Sequence, residues 1–161
     1  MGDGVEQMRL GIIGAGRAGL IHGRNFRQYV PQAEVVAFSS RTESACQKAC
    51  AEFGISRYYP DYRDLLECED IDSVVIATPA IMHREMVLAA AQHKKHILCE
   101  KPMAMNAAEC AEMRKAAQEN NVVLLMAFVK RFHRDYITMK NIVDSGEIGD
   151  IAMIKISSRT P

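Results

Sequence analysis

Residues 8–26, MRLGIIGAGRAGLIHGRNF, join an apolar stretch to three closely spaced glycines, Gly14, Gly16 and Gly19. The apolar stretch predicts a strand, and the residues after the glycines predict a helix. In a dinucleotide-binding turn of this spacing, the first glycine permits a tight turn, the second lets a pyrophosphate approach the backbone, and the third lets the helix pack closely. The stretch therefore predicts either a dinucleotide site or a tight turn without a ligand, and the rest of the chain must discriminate.

The composition is typical of one globular domain. The 161 residues are 48% hydrophobic and 25% charged, and twenty Lys and Arg balance twenty Asp and Glu. A net charge of zero gives no reason to expect nucleic acid or an anionic membrane as the main partner. The five cysteines form no CxxC pair, which favours free thiols in a reducing compartment over a metal site. No signal peptide or membrane-length apolar run is found, so we expect a cytoplasmic protein.

Short apolar runs alternate with helical patterns along the chain. The predicted strands are Arg9–Ile13, Glu34–Ser39, Ser73–Ala77, His96–Cys99 and Val122–Ala127. The predicted helices are Ala18–Tyr29, Glu43–Phe53, a short turn at Tyr62–Leu66, His83–Gln92 and Ala107–Glu119. Nearly continuous apolar strands between helices indicate an α/β fold, a doubly wound parallel sheet with helices on both faces. Asn106 with Glu109 predicts a capping box, and Gly54 predicts a helix C-terminus.

The end of the second predicted strand bears on the choice of cofactor. An NAD site usually has an acidic residue there, which accepts from the ribose 2′-hydroxyl. This chain has Ser39, Ser40 and Arg41 instead, and small hydroxyls with a guanidinium suit a 2′-phosphate. Glu43, a little farther on, weakens the case, and Arg41 as a solvated loop residue is the alternative. We favour NADP over NAD.

Two further motifs follow strands that we expect at the same sheet edge. In VVIATPAIMHREM, residues 74–86, Ala77, Thr78 and Pro79 are expected to line the cofactor crevice. His83 is either a ligand contact or a helix-start residue that packs locally.

In HILCEKPMAMN, residues 96–106, Glu100, Lys101 and Pro102 follow a buried strand. A lysine near a nicotinamide ring can hold a substrate hydroxyl and favour its alkoxide-like form. The alternative is an exposed ion pair in a loop, which contributes little.

The last part of the chain has two features. In MAFVKRFHRDY, residues 126–136, basic and aromatic residues interleave, a pattern that can indicate nucleic-acid binding. Because this segment follows a predicted strand, we favour binding of the cofactor or the substrate over binding of nucleic acid. A helix is predicted over Phe132–Ser145. The segment GEIGDIAMIKISSRTP, residues 146–161, predicts a strand at Ile151–Ser157 that either closes the sheet or begins a further domain.

These motifs, in this order and spacing, resemble the N-terminal half of the Gfo/Idh/MocA oxidoreductases, which include glucose–fructose oxidoreductase and inositol 2-dehydrogenase. The resemblance rests on GIIGAGRAGLIHGRNF, VVIATPAIMHREM, ILCEKPMAMN and MAFVKRFHRDY, and the EKP triplet is the most specific of them. It implies a Rossmann domain and hydride exchange between NAD(H) or NADP(H) and a sugar, cyclitol or related alcohol. It also implies that the proton-transfer histidine lies in a C-terminal domain that binds substrate and builds a homo-oligomer.

On this resemblance Lys101 is the catalytic residue, and we expect no metal. The expected cofactor-binding residues are Gly14, Gly16, Arg17, Ala18, Gly19, Ser40, Arg41, Ala77, Thr78, Pro79, His83, Glu100, Lys101, Pro102 and Arg131. We expect a loose tail at 1–8, the dinucleotide-binding domain at 9–128, and a connecting helix with the first strand of a truncated domain at 129–161. The alternative function is a non-catalytic dinucleotide-binding sensor or regulatory module on the same fold.

Overall fold

A computed structural model describes residues 7–157, in which six parallel strands form one sheet. They are β1 Met8–Ile13, β2 Ala33–Ser39, β3 Tyr58–Tyr59, β4 Ser73–Ile76, β5 His96–Cys99 and β6 Leu124–Met126. Their order across the sheet is β3-β2-β1-β4-β5-β6. The order reverses between β1 and β4, which lie side by side, and this switch point is where such sheets bind ligands. The predicted doubly wound parallel sheet is confirmed.

Five helices cover the two faces of the sheet. They are α1 Arg17–Tyr29, α2 Glu43–Phe53, α3 Tyr62–Leu66, α4 His83–Gln92 and α5 Ala107–Glu119. On one face, Ile12 and Val75 pack with Cys46 and Phe53 of α2 and with residues of α1. On the other face, residues of β1, β4 and β5 pack with α3, α4 and α5. Adjacent residues of a strand therefore enter different cores, as the near-continuous apolar runs predict.

Local signals set the helix ends. The Asn106 side chain accepts from Glu109 N at 3.0 Å, and the Glu109 carboxylate accepts from Met105 N at 3.1 Å. Gly54 ends α2 in the left-handed conformation, with φ 66°. Both predicted caps are present.

Several predicted strand limits differ from those observed. β3 is missing from the prediction because a two-residue strand has no periodicity. β6 is three residues instead of six, because Val122 N bonds back to the end of α5 at Ala117 O. Met8 belongs to β1, since its N–H donates to Gln32 O at 2.8 Å, and the predicted tail through residue 8 is wrong there. Residues 1–6 of that tail lie outside the described part.

The chain divides into two compact units, one ending at Ala127 and the next starting at Phe128. The second unit has a 3-10 turn at Val129–Phe132 and a helix α6 at Arg134–Asp144. Residues 151–157 form no strand within the described part, so the alternative in which this segment closes the sheet is wrong. That the segment forms the first strand of a further domain stays a prediction, since a strand requires a partner with which to form a ladder of hydrogen bonds. Residues 158–161 lie outside the described part.

Candidate dinucleotide-binding site

A cleft of about 700 Å³ opens at the carboxyl ends of β1, β2 and β4. It is lined by the glycine turn, by the residues that follow β2 and β4, and by the start of α3. Of the predicted residues, the lining includes Gly14, Gly16, Ser40, Arg41, Ala77, Thr78 and Pro79. Three motifs that are separate in the sequence therefore meet at one cavity.

The three glycines of the turn differ in what requires them. Gly14 has φ +113°, and a Cβ there would lie 2.5 Å from Ala77 O. A Cβ on Gly19 would overlap the Gly14 carbonyl oxygen. Gly16, in contrast, has extended backbone angles that any residue adopts. Apart from its chain neighbours, no described residue has an atom within 4 Å of its Cβ position. Protein packing therefore requires Gly14 and Gly19 but not Gly16, which faces the open cleft.

The first turn of α1 borders the cleft. Gly16 is its N-cap and supplies no capping side chain, and the first turn contains no acidic residue. Arg17 is exposed, Ala18 is partly buried and Gly19 is buried. The amide groups at this end of the helix, with the positive end of its dipole, suit an anion at Gly16.

The loop after β2 presents a guanidinium to the cleft. Ser40 N donates to Tyr59 O at 3.2 Å, and Ser40 Oγ accepts from Thr42 N at 3.3 Å, so the loop is ordered by its own contacts. Arg41 is exposed and has no side-chain partner in the described part of the chain. Glu43 accepts from Tyr58 Oη at 2.9 Å, which directs this carboxylate toward β3.

The sequence does not predict one further wall of the cleft. It consists of Asp61, Tyr62 and Arg63 at the start of α3, and Glu85 of α4. Glu85 accepts from Tyr62 Oη at 2.8 Å and pairs with Arg63, whose guanidinium lies 4.8 Å from the Tyr62 ring centroid. Burial and the Glu85 carboxylate raise the pKa of Tyr62 to about 12, so its hydroxyl stays a donor at neutral pH. No spacing in the sequence relates these residues, because the fold brings α3 and α4 together.

His83 is not among the residues that line the cleft. It has no exposed surface. Its Nδ1 lies 2.9 Å from Pro102 O and its Nε2 lies 2.9 Å from Thr78 O. Of the two predicted roles the observed contacts match local packing, and contact with a cofactor stays a prediction.

The residues after β5 lie beside the cleft and do not line it. Glu100 N donates to Ile76 O at 2.9 Å, which ties this loop to β4. The Glu100 carboxylate is 2.9 Å from His22 Nε2 and accepts from Lys101 N at 3.0 Å. Lys101 itself is exposed, and no ion pair joins its ammonium to Glu100 in the described part of the chain. The alternative of a simple Glu100–Lys101 ion pair is therefore not what the structure shows.

Arg131 belongs to the second unit. Its guanidinium lies 5.9 Å from the Phe128 ring centroid, and the Lys130 ammonium lies 5.1 Å from that of Tyr136. The interleaved basic and aromatic residues thus contact one another, and a role for Arg131 at the cofactor stays a prediction.

Within residues 7–157, no group of three or more His, Cys, Asp or Glu is placed to hold a metal ion. None of the helices in this range combines the length and apolar character needed to cross a membrane.

Known proteins include relatives that match nearly the whole chain. Residues 8–128 match the model of an oxidoreductase family with an NAD-binding Rossmann fold. The chain is 34% identical over 154 residues to the myo-inositol 2-dehydrogenase of Thermotoga maritima, covering 96% of this chain and 46% of that protein. It thus spans about half the length of the curated relatives it matches.

Two solved structures are similar in fold. The scyllo-inositol dehydrogenase of Lactobacillus casei, with bound NAD(H) and scyllo-inositol, has a TM-score of 0.84 and 29% identity over 89% of this chain and 43% of that one. A 3-ketoreductase of Actinomadura kijaniata, a variant in complex with TDP-benzene and NADP, has a TM-score of 0.82 and 27% identity over 90% and 46%.

Proposed function

The chain belongs to the Gfo/Idh/MocA oxidoreductase family, and on that premise we propose that its cleft binds a nicotinamide dinucleotide and presents it for hydride transfer. One observation carries this proposal: Gly16 is a glycine that neither backbone conformation nor packing requires. A pyrophosphate at the start of α1 would require it, because a side chain there would occupy the space where the phosphates approach the amides.

We propose NADP as the preferred cofactor. The exposed guanidinium of Arg41 and the hydroxyl of Ser40 lie in the cleft where the adenine ribose is expected. Glu43, the acid that argues for NAD, is engaged with Tyr58. Both cofactors occur among similar proteins, since the inositol dehydrogenase holds NAD(H) and the ketoreductase holds NADP.

The proposed reaction is hydride exchange with a cyclitol, sugar or related alcohol, as the names of the relatives suggest. The cofactor, when bound, supplies the hydride acceptor or donor. Lys101 would contact the nicotinamide end and hold the substrate oxygen, where its ammonium stabilises developing negative charge. The exposed position of Lys101 beside the cleft, with no ion pair to Glu100, supports this role.

Substrate side chains and the group that takes the hydroxyl proton are proposed to lie outside residues 8–128. The alternative is a non-catalytic dinucleotide sensor. It would give no role to the exposed ammonium of Lys101, which pairs with no carboxylate in the described part of the chain. Homo-oligomeric assembly and a cytoplasmic location are part of the proposal.

Calorimetric titration of the chain with NADP⁺ and with NAD⁺ tests cofactor binding. We expect both to bind and NADP⁺ to bind more tightly. Absence of heat with either ligand at millimolar concentration contradicts the proposal, and tighter NAD⁺ contradicts only the choice of cofactor.

Turnover is tested in a polypeptide that carries this chain together with a substrate-binding domain, by the fluorescence of the NADPH formed from cyclitols. There Lys101→Met should lower kcat by about a hundredfold or more. Unchanged kcat would remove Lys101 from the mechanism.

A further inference from the structure

The loop Glu100–Pro102 is held through side chains of two helices, and this arrangement fixes the backbone on both sides of Lys101. We infer that His22 is a positioning residue, which acts through Glu100 to hold Lys101 at the nicotinamide end of the cleft. The inference rests on the proposed function, because it assigns His22 a part in cofactor and substrate binding.

His22 lies on α1, the helix whose first turn borders the cleft. Its Nε2 is 2.9 Å from Glu100 Oε1, and the two side chains are only 13% and 18% exposed. A carboxylate only accepts hydrogen bonds at neutral pH, so His22 Nε2 is the donor. A carboxylate this far from water needs such a donor, and without it the Glu100 side chain would turn toward solvent.

The second carboxylate oxygen of Glu100 accepts from Lys101 N at 3.0 Å. One rigid group therefore joins α1 to the main chain of Lys101. Rotation of the Glu100 side chain would break the hydrogen bond to Lys101 N. The main chain of Lys101 could then turn, and its side chain would no longer be held in one direction.

The residue after Lys101 is already fixed by a different contact. Pro102 O is 2.9 Å from Nδ1 of the fully buried His83, whose Nε2 is 2.9 Å from O of the cleft residue Thr78. Pro102 O thus lies against His83 of α4, and the main chain of Glu100 is bonded to β4 through Ile76 O at 2.9 Å. What the His22 contact holds is the Glu100 side chain, which accepts from Lys101 N. The ammonium itself takes no part in these contacts, so it is free to meet a ligand.

The chain itself serves for the test, with NADPH and 2′-phospho-ADP-ribose as probes. The two ligands share the adenine, the phosphates and both riboses and differ only in the nicotinamide ring. We expect His22→Leu to weaken NADPH binding by about tenfold. This is the effect of losing one hydrogen bond from a charged group, here the bond between the Lys101 ammonium and the nicotinamide end of the ligand. Binding of 2′-phospho-ADP-ribose should stay within about twofold, because the side chain of His22 bonds to Glu100, on the side of Lys101 and the nicotinamide end.

Three further variants distinguish positioning from general stabilisation. His22→Gln keeps an N–H donor and should restore most of the NADPH affinity. His93→Leu, at an exposed histidine after α4, is the matched control and should change neither ligand. In a Lys101→Met background, His22→Leu should have little further effect, because the lysine through which it acts is gone.

The outcomes separate this inference from the proposed function. If the unmodified chain binds neither ligand and does not bind NADH, the proposed function fails and the inference fails with it. If it binds NADH alone, only the choice of cofactor fails, and NADH with ADP-ribose replaces the two probes. If the chain binds NADPH but His22→Leu weakens both ligands equally, or adds its full effect to Lys101→Met, the positioning role is wrong and the dinucleotide site stands.

Discussion

Replacing Gly16 by serine should make the chain more stable and at the same time impair cofactor binding. Gly16 is the N-cap of α1, with φ −86° and ψ −172°, and among residues 7–157 only its chain neighbours have atoms within 4 Å of its Cβ position. Serine fits these angles, can cap the first turn and restricts the unfolded chain, which together should stabilise by about 0.5–1 kcal/mol. In a domain of this size the midpoint of thermal unfolding should rise by about 1–4 °C.

Binding should change in the opposite direction. The new side chain would occupy the space from which a pyrophosphate reaches the amides of α1. Losing one or two charge-assisted hydrogen bonds corresponds to about a 10–100-fold higher Kd for NADP⁺. Calorimetry and thermal unfolding on the same preparation measure both effects.

Gly19→Ala is the matched control, because a Cβ there would overlap the Gly14 carbonyl oxygen. It should destabilise the fold by about 2–3 kcal/mol. If Gly16→Ser leaves NADP⁺ affinity unchanged, no pyrophosphate lies at Gly16 and the observation that carries the proposed function has another cause.

Three other predictions follow from single residues. Arg41→Ala should raise the Kd for NADP⁺ by about tenfold or more and leave NAD⁺ within about twofold, since only the 2′-phosphate distinguishes the ligands; equal losses in titration would show that Arg41 does not bind that phosphate. Lys95 is buried, and its ammonium lies 2.7 Å from both Cys68 O and Ile71 O. Lys95→Met should lower the free energy of unfolding, measured in urea, by about 2–3 kcal/mol, because both carbonyls lose their donor. The control Lys115→Met, at an exposed lysine, should change it little. Burial, with a smaller effect of Glu100, raises the pKa of the Cys99 thiol from 9.0 to about 12. Because the pKa is higher in the folded chain than in the unfolded chain, the free energy of unfolding should fall as pH rises between these two values. Cys99→Ala should make that fall less steep when unfolding is measured as a function of pH.

Local signals account for what the sequence predicts well. The bounds of α2, α3, α4 and α5 are confirmed to the residue, and the caps at Gly54 and Asn106 lie within a few residues of the ends they set. The glycine spacing and the strand ends predicted near Ile76 and at Ser39 likewise place three motifs at one cleft, because parallel strands share a carboxyl edge.

Contacts between distant residues account for what the sequence does not predict. The Tyr62–Glu85 hydrogen bond joins residues that no motif relates, and its wall of the cleft depends on how α3 packs beside α4. His83 follows a strand end as a ligand contact would, yet its neighbours are two carbonyls that only the folded chain brings together. The segment Ile151–Ser157 has the pattern of a strand, but pattern alone does not supply a partner.

The glycine turn is held by main-chain contacts on two sides. Gly14 N donates to Ser39 O, and Ala77 N donates to Ile13 O, both at 2.8 Å. Because main-chain contacts of the protein itself set the shape of the turn, a dinucleotide that binds there should need no rearrangement of it. Association should then be limited by diffusion and by the orientation of the ligand, and not by a conformational change of the turn. NADP⁺ and NAD⁺ should therefore arrive at similar rates, and the preference between them should lie in residence time.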